Sequence, residues 1–435
     1  MKHRNYINHS RSALVVLFVL FCFTTSSVYA TNGYFSHGYG THYKGLAGAG
    51  VALYLNALGV ATNPASMAFL GSRVDIGLGL FNPNRQYTVS GNPTGFPGTF
   101  GLTPDTVESD SKYFFIPSMG VNFAIPGGNA LTFTVYGNGG MNTEYPTNTY
   151  YGSQPTGVDL SQLFFAFTFS KQIVQNHALG ITAIVAYQFF EARGLEAFGM
   201  FSGDSKSLTN NGHDNSSGFG VRIGYLGQIL PQLSIGASYQ TKIDMGKFPD
   251  YAGLFAEQGG FDIPASWTAG LAFNLTPAFT IAADVQQMLY SKVKSVGNPM
   301  LPNLQQAPLG ADEGAGFGWK DMTVYKFGLQ WALNPQWTLR GGYSYGKQPI
   351  PGGNDPMESQ VVFNILAPGV IEQHATFGLT TQLSPKLELN AAITHALSSS
   401  VEGVNPLEAI TPAEKQTVEL KMNQWDFEVG VSIHL

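Results

Sequence analysis

The stretch WTAGLAFNL, residues 267–275, alternates between large apolar side chains and small or polar ones. Trp267, Leu271 and Phe273 fall on one face, and Thr268 falls on the other. Because successive side chains of a strand point to opposite sides, this spacing predicts a β-strand with an apolar outer face and a polar inner face. A tilted strand of about ten residues is also long enough to cross a bilayer.

The same alternation recurs from about residue 73 to the end of the chain. It is clearest in residues 233–242, 279–287, 324–331, 337–345, 387–395 and 425–435. A soluble β-sandwich could contain strands of this kind. The connections between the strands therefore decide the fold class.

Two kinds of connection alternate along the chain. Short turns built on proline with asparagine or serine join pairs of strands, as in NLTPAFT, ALNPQWT and QLSPKLE. Long polar segments separate these pairs at about residues 91–111, 196–217, 294–318 and 348–368. Short turns on one side and long loops on the other are typical of outer-membrane barrels. We therefore predict an all-β fold, a transmembrane antiparallel β-barrel of about 14 strands over residues 73–435.

Residues 1–30 have the chemistry of an export signal. Three basic residues precede the apolar run ALVVLFVLFCF, and the small-x-small triplet VYA ends at Ala30. This pattern predicts a signal peptide that is cleaved after Ala30. An uncleaved membrane anchor is the alternative, but the apolar run is much shorter than the roughly 20 residues that a transmembrane helix needs. Cys22, the single cysteine, lies in this segment, so the mature chain would have no disulfide and no cysteine-based site.

The composition suits strands that face lipid. Only 11% of the residues are charged, against about 25% in typical proteins. Aromatic residues make up 13%, and there are 52 glycines. The formal net charge is 22 minus 28, or −6, and becomes 19 minus 28, or −9, without the three bases of the signal. An acidic chain of this kind gives no indication of nucleic-acid binding.

Residues 31–72 do not alternate and are rich in small residues, as in GYGTHYKGLAGAGVAL and ATNPASMAFL. So many apolar and small residues favour burial over a free position in the periplasm. A barrel of about 14 strands has a lumen wide enough to hold such a segment. We therefore predict that these residues fold inside the barrel.

The glycine-rich lead, the tripeptide Asn63-Pro64-Ala65, the signal and the barrel pattern together resemble the FadL family of outer-membrane transporters. The resemblance covers nearly the whole chain. It implies that residues 31–72 form a hatch that plugs the lumen. It also implies that the third barrel strand kinks inward opposite the tripeptide, and that cargo leaves sideways through the resulting gap into the bilayer.

The third strand of this chain is expected over residues 130–145. Its run of Gly137, Asn138, Gly139 and Gly140 suits a kink, because glycine permits unusual backbone and interrupts ladder pairing. The start of an ordinary loop is the alternative.

The carboxylate of a fatty acid would need a cation or hydrogen-bond donors in an otherwise apolar pocket. The alternation places four bases on lumen faces: Arg222, Lys242, Lys326 and Arg340. The alternative is that these bases pair with lumen acids and hold the hatch, the acids being Asp75, Asp284, Glu388, Asp426 and Glu428. The resemblance also implies that the first mature residues approach the substrate: Asn32, Gly33, Tyr34 and Phe35.

Two polar loops contain apolar side chains that would be costly to expose without a use: Phe198, Met200, Phe201, Tyr251, Leu254 and Phe255. The resemblance implies a first docking groove for cargo at such loops, and packing of the loops against each other is the alternative. His37, His42, His374 and His395 stand in no metal-binding motif. We therefore predict neither a metal nor another cofactor.

These observations predict an importer of hydrophobic small molecules in the Gram-negative outer membrane, and not an enzyme. The expected cargo is long-chain fatty acid, carried passively; aromatic or aliphatic hydrocarbons for biodegradation are the alternative. A general porin or a membrane hydrolase is the alternative from another class. An open porin would not need a plug of about forty residues, and no Ser–His pair falls on one strand face. The expected partners are the cargo, membrane lipid and lipopolysaccharide, and the resemblance implies a monomer.

Overall fold

The computed structural model describes residues 31–408 and 415–435. The expected signal peptide, residues 1–30 with Cys22, lies outside the described residues. In chain order the strands are β1 (Thr31–Asn32), β2 (Phe35–Ser36), β3 (Arg73–Ser90), β4 (Asp105–Glu108), β5 (Phe114–Ile125), β6 (Asn129–Glu144), β7 (Gly157–Val174), β8 (His177–Arg193), β9 (Asp214–Leu230), β10 (Leu233–Gln240), β11 (Asp244–Met245), β12 (Ser266–Thr276), β13 (Phe279–Met288), β14 (Met322–Ala332), β15 (Trp337–Tyr345), β16 (Gln373–Ser384), β17 (Leu387–Val404) and β18 (Thr417–His434).

Fourteen of the strands in the described chain form one closed antiparallel barrel, namely β3, β5 to β10 and β12 to β18. β18 closes it by pairing with β3 along both strands, from Thr417 opposite Ser90 to His434 opposite Arg73. β1 and β2 belong to the N-terminal segment, and β4 and β11 lie in long connections. The prediction of an antiparallel barrel of about 14 strands is confirmed.

The connections differ at the two ends of the barrel. One end has turns of two to four residues, at 126–128, 175–176, 231–232, 277–278, 333–336 and 385–386. The other end has long connections, at 91–113, 145–156, 194–213, 241–265, 289–321 and 346–372 and between β17 and β18. The turn at 175–176 escaped the sequence pattern because it has no proline and uses Asn176 at φ 64° instead.

The burial pattern follows the predicted alternation. Leu271 and Phe273 are 41% and 37% exposed on the outer face, whereas Thr268 is buried. Several strands are longer than predicted, and β3 and β18 have 18 residues each. Since about ten residues suffice to cross a bilayer, the ends of such strands extend beyond it.

The helices of the described chain are short. The α-helices are α1 (Thr41–Lys44), α2 (Ala256–Gly259), α3 (Lys294–Gly297) and α4 (Asn303–Gln306). The 3-10 helices are Ala57–Ala61, Pro64–Ala68, Glu196–Phe201, Ser205–Ser207, Pro249–Tyr251, Tyr290–Lys292 and Phe363–Ile365. No helix among the described residues is long and apolar enough to span a membrane.

The N-terminal segment, residues 31–72, bonds to the inner wall of the barrel on several sides. The backbone N–H of Ala57 donates to Asp75 on β3 at 2.8 Å, and that of Gly50 donates to Asp284 on β13 at 2.7 Å. Since β3 and β13 stand on nearly opposite sides of the ring, the segment reaches across the lumen.

Candidate functional site

The Asn63-Pro64-Ala65 tripeptide begins a 3-10 helix inside the barrel. The Asn63 side chain caps this helix by accepting from the Ala65 N–H at 3.0 Å, and Pro64 occupies the first helical position. The Asn63 amide also donates to the carbonyls of Val51 at 2.7 Å and Tyr225 at 2.8 Å. One side chain therefore joins two parts of the N-terminal segment to β9.

Two wall glycines let the tripeptide approach the barrel closely. A Cβ on Gly224 of β9 would lie 2.1 Å from the Asn63 Oδ1, and one on Gly180 of β8 would lie 2.4 Å from the Pro64 carbonyl carbon. The Ser170 hydroxyl of β7 donates to the Pro64 carbonyl at 2.6 Å. The tripeptide is thus docked on β7, β8 and β9.

The third barrel strand, β6, is irregular where the glycine run predicted a kink. Gly137 lies opposite Leu163 and Gly139 lies opposite Gln162, so Asn138 is an extra residue, a β-bulge. All residues from 135 to 143 are buried, so the alternation of the strand is lost there.

β5 and β6 separate just before this bulge. Their ladder joins Met119–Ile125 of β5 to Asn129–Val135 of β6. Within the described chain, no ladder pairing joins β5 residues 114–118 to β6 residues 136–144. A cavity of about 460 Å³ lies at this place, lined by Phe114 and Asn142 among others. We call the unpaired stretch between β5 and β6 the lateral opening.

The residues that bond to the bulge come from the start of the N-terminal segment. Phe35 pairs with Gly139, and the Gly140 N–H donates to the Tyr34 carbonyl at 3.1 Å. A Cβ on Gly139 would lie 2.0 Å from the Tyr34 carbonyl oxygen, so glycine is required here. These hydrogen bonds to the bulge come from Tyr34 and Phe35, whereas those of the tripeptide go to β7 and β9. The position of the kink opposite Asn63-Pro64-Ala65 stays a prediction.

Asn32, Gly33, Tyr34 and Phe35 are all buried. The Tyr34 ring lies 5.2 Å from that of Tyr290 and belongs to an aromatic cluster with Phe35, Phe261 and Trp319. The Tyr290 hydroxyl donates to the Asn32 carbonyl at 2.5 Å. Gly33 lines a cavity of about 20 Å³ beside Trp319.

Three of the four predicted bases are buried inside the barrel and already bond to protein oxygens. Lys326 donates to the His37 carbonyl at 2.9 Å. Arg340 donates to Gln330 at 2.8 Å and Thr380 at 2.6 Å. Arg222 donates to the Val60 carbonyl at 3.2 Å, to the Tyr136 hydroxyl at 3.0 Å and to Gln240.

Lys242 is not on a lumen face, and that prediction is wrong. β10 ends at Gln240, two residues earlier than the alternation indicated, so Lys242 lies in the following loop with its side chain 41% exposed. It pairs with Asp244 at 2.5 Å and Asp262 at 2.7 Å. Partial burial opposes the charge, but these two hydrogen bonds outweigh it and raise the pKa of Lys242 above its usual value.

Most of the predicted lumen acids bond to groups other than the four predicted bases. Asp75 pairs with Arg73 at 2.7 Å, and Glu388 also accepts from Arg73, at 3.2 Å. Lys44 of α1 pairs with Asp426 at 2.6 Å and Glu428 at 2.8 Å. The acids therefore bond to the N-terminal segment and the barrel wall, as the alternative interpretation expected. Their partners, however, are Lys44, Arg73 and backbone N–H groups and not the four predicted bases.

Most of the predicted docking residues pack within the loops. Phe198 packs against Phe100, Tyr150 and Phe363, and Phe255 packs against Phe190 and Phe261. Tyr251 is fully buried, and Phe201 and Leu254 are partly buried against the same cluster. Met200 differs, being 81% exposed.

The four histidines do not come together at one place. The rings of His37 and His374 stack at 5.1 Å, and His395 stacks on Trp425 at 4.0 Å. His42 contacts Asn56 at 3.0 Å and Glu388 at 3.8 Å. Among the residues that the structure describes, no group of three metal-ligating side chains is close enough to hold an ion.

Arg85 is a buried base that the sequence analysis missed. It lies on the inner face of β3, 4% exposed, and its Nη1 donates to the Ser111 carbonyl at 3.1 Å. Its position has the same parity as Asp75, so extending the alternation of β3 could have found it.

A comparison with protein families matches residues 22–433 to the family described as Outer membrane protein transport protein (OMPP1/FadL/TodX). The chain belongs to this family. Its members are Gram-negative outer-membrane β-barrels that transport hydrophobic compounds. A comparison with curated proteins found no match.

Solved structures of the family share the fold at low sequence identity. The P. putida toluene transporter TodX is 17% identical with a TM-score of 0.66, and a Pseudomonas aeruginosa FadL homologue is 14% identical with a TM-score of 0.69. The Ralstonia pickettii toluene transporter TbuX is 16% identical with a TM-score of 0.60. Each of these comparisons covers 92% of this chain and 99% of the other.

Proposed function

We propose that this protein imports hydrophobic small molecules passively, and that the cargo leaves the barrel sideways through the lateral opening into the outer membrane. The observation that carries the proposal is the interrupted ladder between β5 and β6 beside the Asn138 bulge. A sideways exit suits apolar cargo, because apolar surface gains about 25 cal/mol per Å² on leaving water.

In this proposal the N-terminal segment is a hatch that closes the axial route. Its hydrogen bonds to β3 and to β13, on nearly opposite sides of the ring, support this because they carry the segment across the lumen. Residues 34 and 35 bond directly to the bulge, so movement of the first residues of the hatch would change the lateral opening. Among the loop residues, Met200 is the side chain best exposed for a first contact with cargo.

The proposed cargo is long-chain fatty acid. Aromatic or aliphatic hydrocarbon is a second candidate that one observation favours: Arg222, Lys326 and Arg340 already bond to protein oxygens. A neutral cargo requires no cation in the lumen. The toluene transporters among the related structures agree with that candidate.

Deletion of Asn138 tests the lateral exit. Without the extra residue, Gly137 and Gly139 become consecutive and lie opposite the consecutive residues Leu163 and Gln162 of β7. Successive residues of β6 then point to alternate faces of the strand, so β6 can continue its regular pairing. We expect uptake of both a labelled fatty acid and toluene to fall at least tenfold in cells that lack other importers of these compounds. Asn138→Ala keeps the bulge and is the matched control, with uptake close to that of the wild type.

Each variant must first reach the outer membrane in equal amount, checked by surface labelling and by the different gel mobility of folded and heated barrel. Unchanged uptake by the folded deletion variant would mean that cargo does not use the lateral opening.

A further inference from the structure

Arg85 differs from Lys44 and Arg73, the two buried bases that pair with carboxylates inside the barrel. Arg85 takes part in no ion pair within the described chain. Its contacts are the Ser111 carbonyl at 3.1 Å and the Phe114 ring, whose centroid lies 5.8 Å from the guanidinium carbon. A guanidinium has five N–H donors, and a buried charge is costly unless it is paired. The geometry is that of a cation that lacks its anion.

Arg85 lines a small, partly open cavity. This cavity has a volume of about 20 Å³ and is lined by Arg85, Gly33, Met141, Trp319 and Met422 among others. About one water fills such a volume, so the cavity has no room for a long chain, and a head group at Arg85 would enter it only in part. The lining combines polar side chains, Thr31 and Asn142, with apolar ones such as Met141 and Trp319, which suits a molecule that has a polar and an apolar part.

The same residue also borders the lateral opening. Ser111 and Phe114, the two contacts of the guanidinium, line the 460 Å³ cavity there. Asn142 of β6 lines both this cavity and the small one. Arg85 therefore lies between the interior beside Gly33 and the place where β5 and β6 separate.

We propose that Arg85 binds the head group of an amphiphilic cargo, a long-chain carboxylate, as the cargo reaches the lateral opening. A carboxylate accepts two parallel hydrogen bonds from one guanidinium, which gives both strength and orientation. The inference rests on the proposed function and its fatty-acid cargo, and it names the residue that recognises the carboxylate. It makes Arg85, and not Arg222, Lys326 or Arg340, the residue that distinguishes an acid from a neutral hydrocarbon.

The test compares two ligands with the same chain, palmitate and its methyl ester, in which a methyl group removes the charge of the carboxylate. Equilibrium binding to the full-length protein in mild detergent is measured for the wild type, Arg85→Gln and Arg85→Met. Loss of a charge-assisted pair is expected to weaken palmitate binding about tenfold to a hundredfold, with the ester unchanged. Arg193→Gln removes an exposed guanidinium near the same opening, where it pairs with Glu144 at 3.2 Å, and should affect neither ligand.

Arg85→Met keeps the proposal testable if the glutamine variant folds poorly. Because Arg85 has no acidic partner, methionine leaves no carboxylate unpaired. Equal palmitate affinity in the wild type and the folded Arg85 variants overturns the inference, and so does an equal loss for palmitate and ester, which would indicate packing alone. If the wild type binds neither ligand and cells take up neither, the proposed function itself fails.

Discussion

Single side chains hold the N-terminal segment in place, and Lys44 has the strongest contacts. Its ammonium group lies 2.6 Å from Asp426 and 2.8 Å from Glu428, and all three side chains are buried. Glu428 also accepts from the Thr41 hydroxyl at 2.8 Å. Two carboxylates on adjacent inward positions of β18 would repel each other without the lysine.

Lys44→Met is expected to loosen the segment. The change leaves two buried carboxylates without a cation, and breaking a buried pair of this kind costs about 3–5 kcal/mol. We expect faster hydrogen exchange across residues 41–49, measured by mass spectrometry in detergent, with the barrel strands still protected. Lys44→Arg should restore most of the protection.

Lys112→Met is the control for the loss of a lysine ion pair. Lys112 pairs with Glu108 at 3.0 Å on the surface, where such a pair is worth at most about 1 kcal/mol. Equal exchange in Lys44→Met and the wild type would mean that other contacts alone hold the segment.

For single residues, the sequence predicted the strand face on which a side chain lies better than it predicted the group to which that side chain bonds. The alternation put Arg222, Lys326 and Arg340 on the inner face, where the structure has them. It misplaced Lys242, because a period of two does not show where a strand ends. It could not predict that Lys326 bonds to a carbonyl of His37, since that contact joins residues 289 positions apart.

Among the elements, the 3-10 helix that begins at Pro64 depends on the small residues of the wall behind it. Gly180 and Gly224 face this helix on adjacent strands, and neither has room for a Cβ. The helix can therefore lie against the backbone of β8 and β9. The Asn63 amide, bonded to Tyr225, then fixes its orientation.

Gly224→Ala is expected to displace this helix. The new Cβ would lie 2.1 Å from the Asn63 Oδ1, so the Asn63 cap and its bond to Tyr225 must both shift. Loss of a cap alone costs about 1 kcal/mol. We expect faster hydrogen exchange over residues 61–70 and occasional conductance steps in planar bilayers.

Gly341→Ala is the matched control, because a Cβ there would meet its nearest atom at 3.9 Å. The same exchange and conductance as the wild type are expected for it. If Gly224→Ala also behaves like the wild type, the tripeptide tolerates movement and the close approach has no role in holding it.

The third strand also shows which features its own residues cannot predict. The glycine run in the third strand indicated the place of the irregularity, and the bulge is at Asn138. The lateral opening was not visible in that pattern. It lies where β5 and β6 stop pairing after Val135, and there β6 bonds to Phe35 and Tyr39 of the N-terminal segment. Such pairings between distant parts of the chain are not visible in one strand's own residues.

The whole molecule combines a barrel that closes on itself with an N-terminal segment that bonds to its inner wall. The closing ladder between β18 and β3 involves only wall residues, and each barrel strand bonds to two others. The wall therefore does not depend on the N-terminal segment for its backbone hydrogen bonds. The segment, in contrast, is held by side chains of the wall on several sides.

Deletion of residues 31–70 is therefore expected to leave a folded barrel with an open lumen. Asp75, Asp284, Asp426 and Glu428 would lose their partners in the segment, but water entering the lumen would hydrate them, as it does the charges inside porins. The deletion variant should keep the gel mobility of a folded barrel and should conduct ions steadily in planar bilayers, whereas the full-length protein should not. If the full-length protein already conducts like an open pore, the N-terminal segment does not close the axial route, and cargo would have no need of the opening beside Asn138.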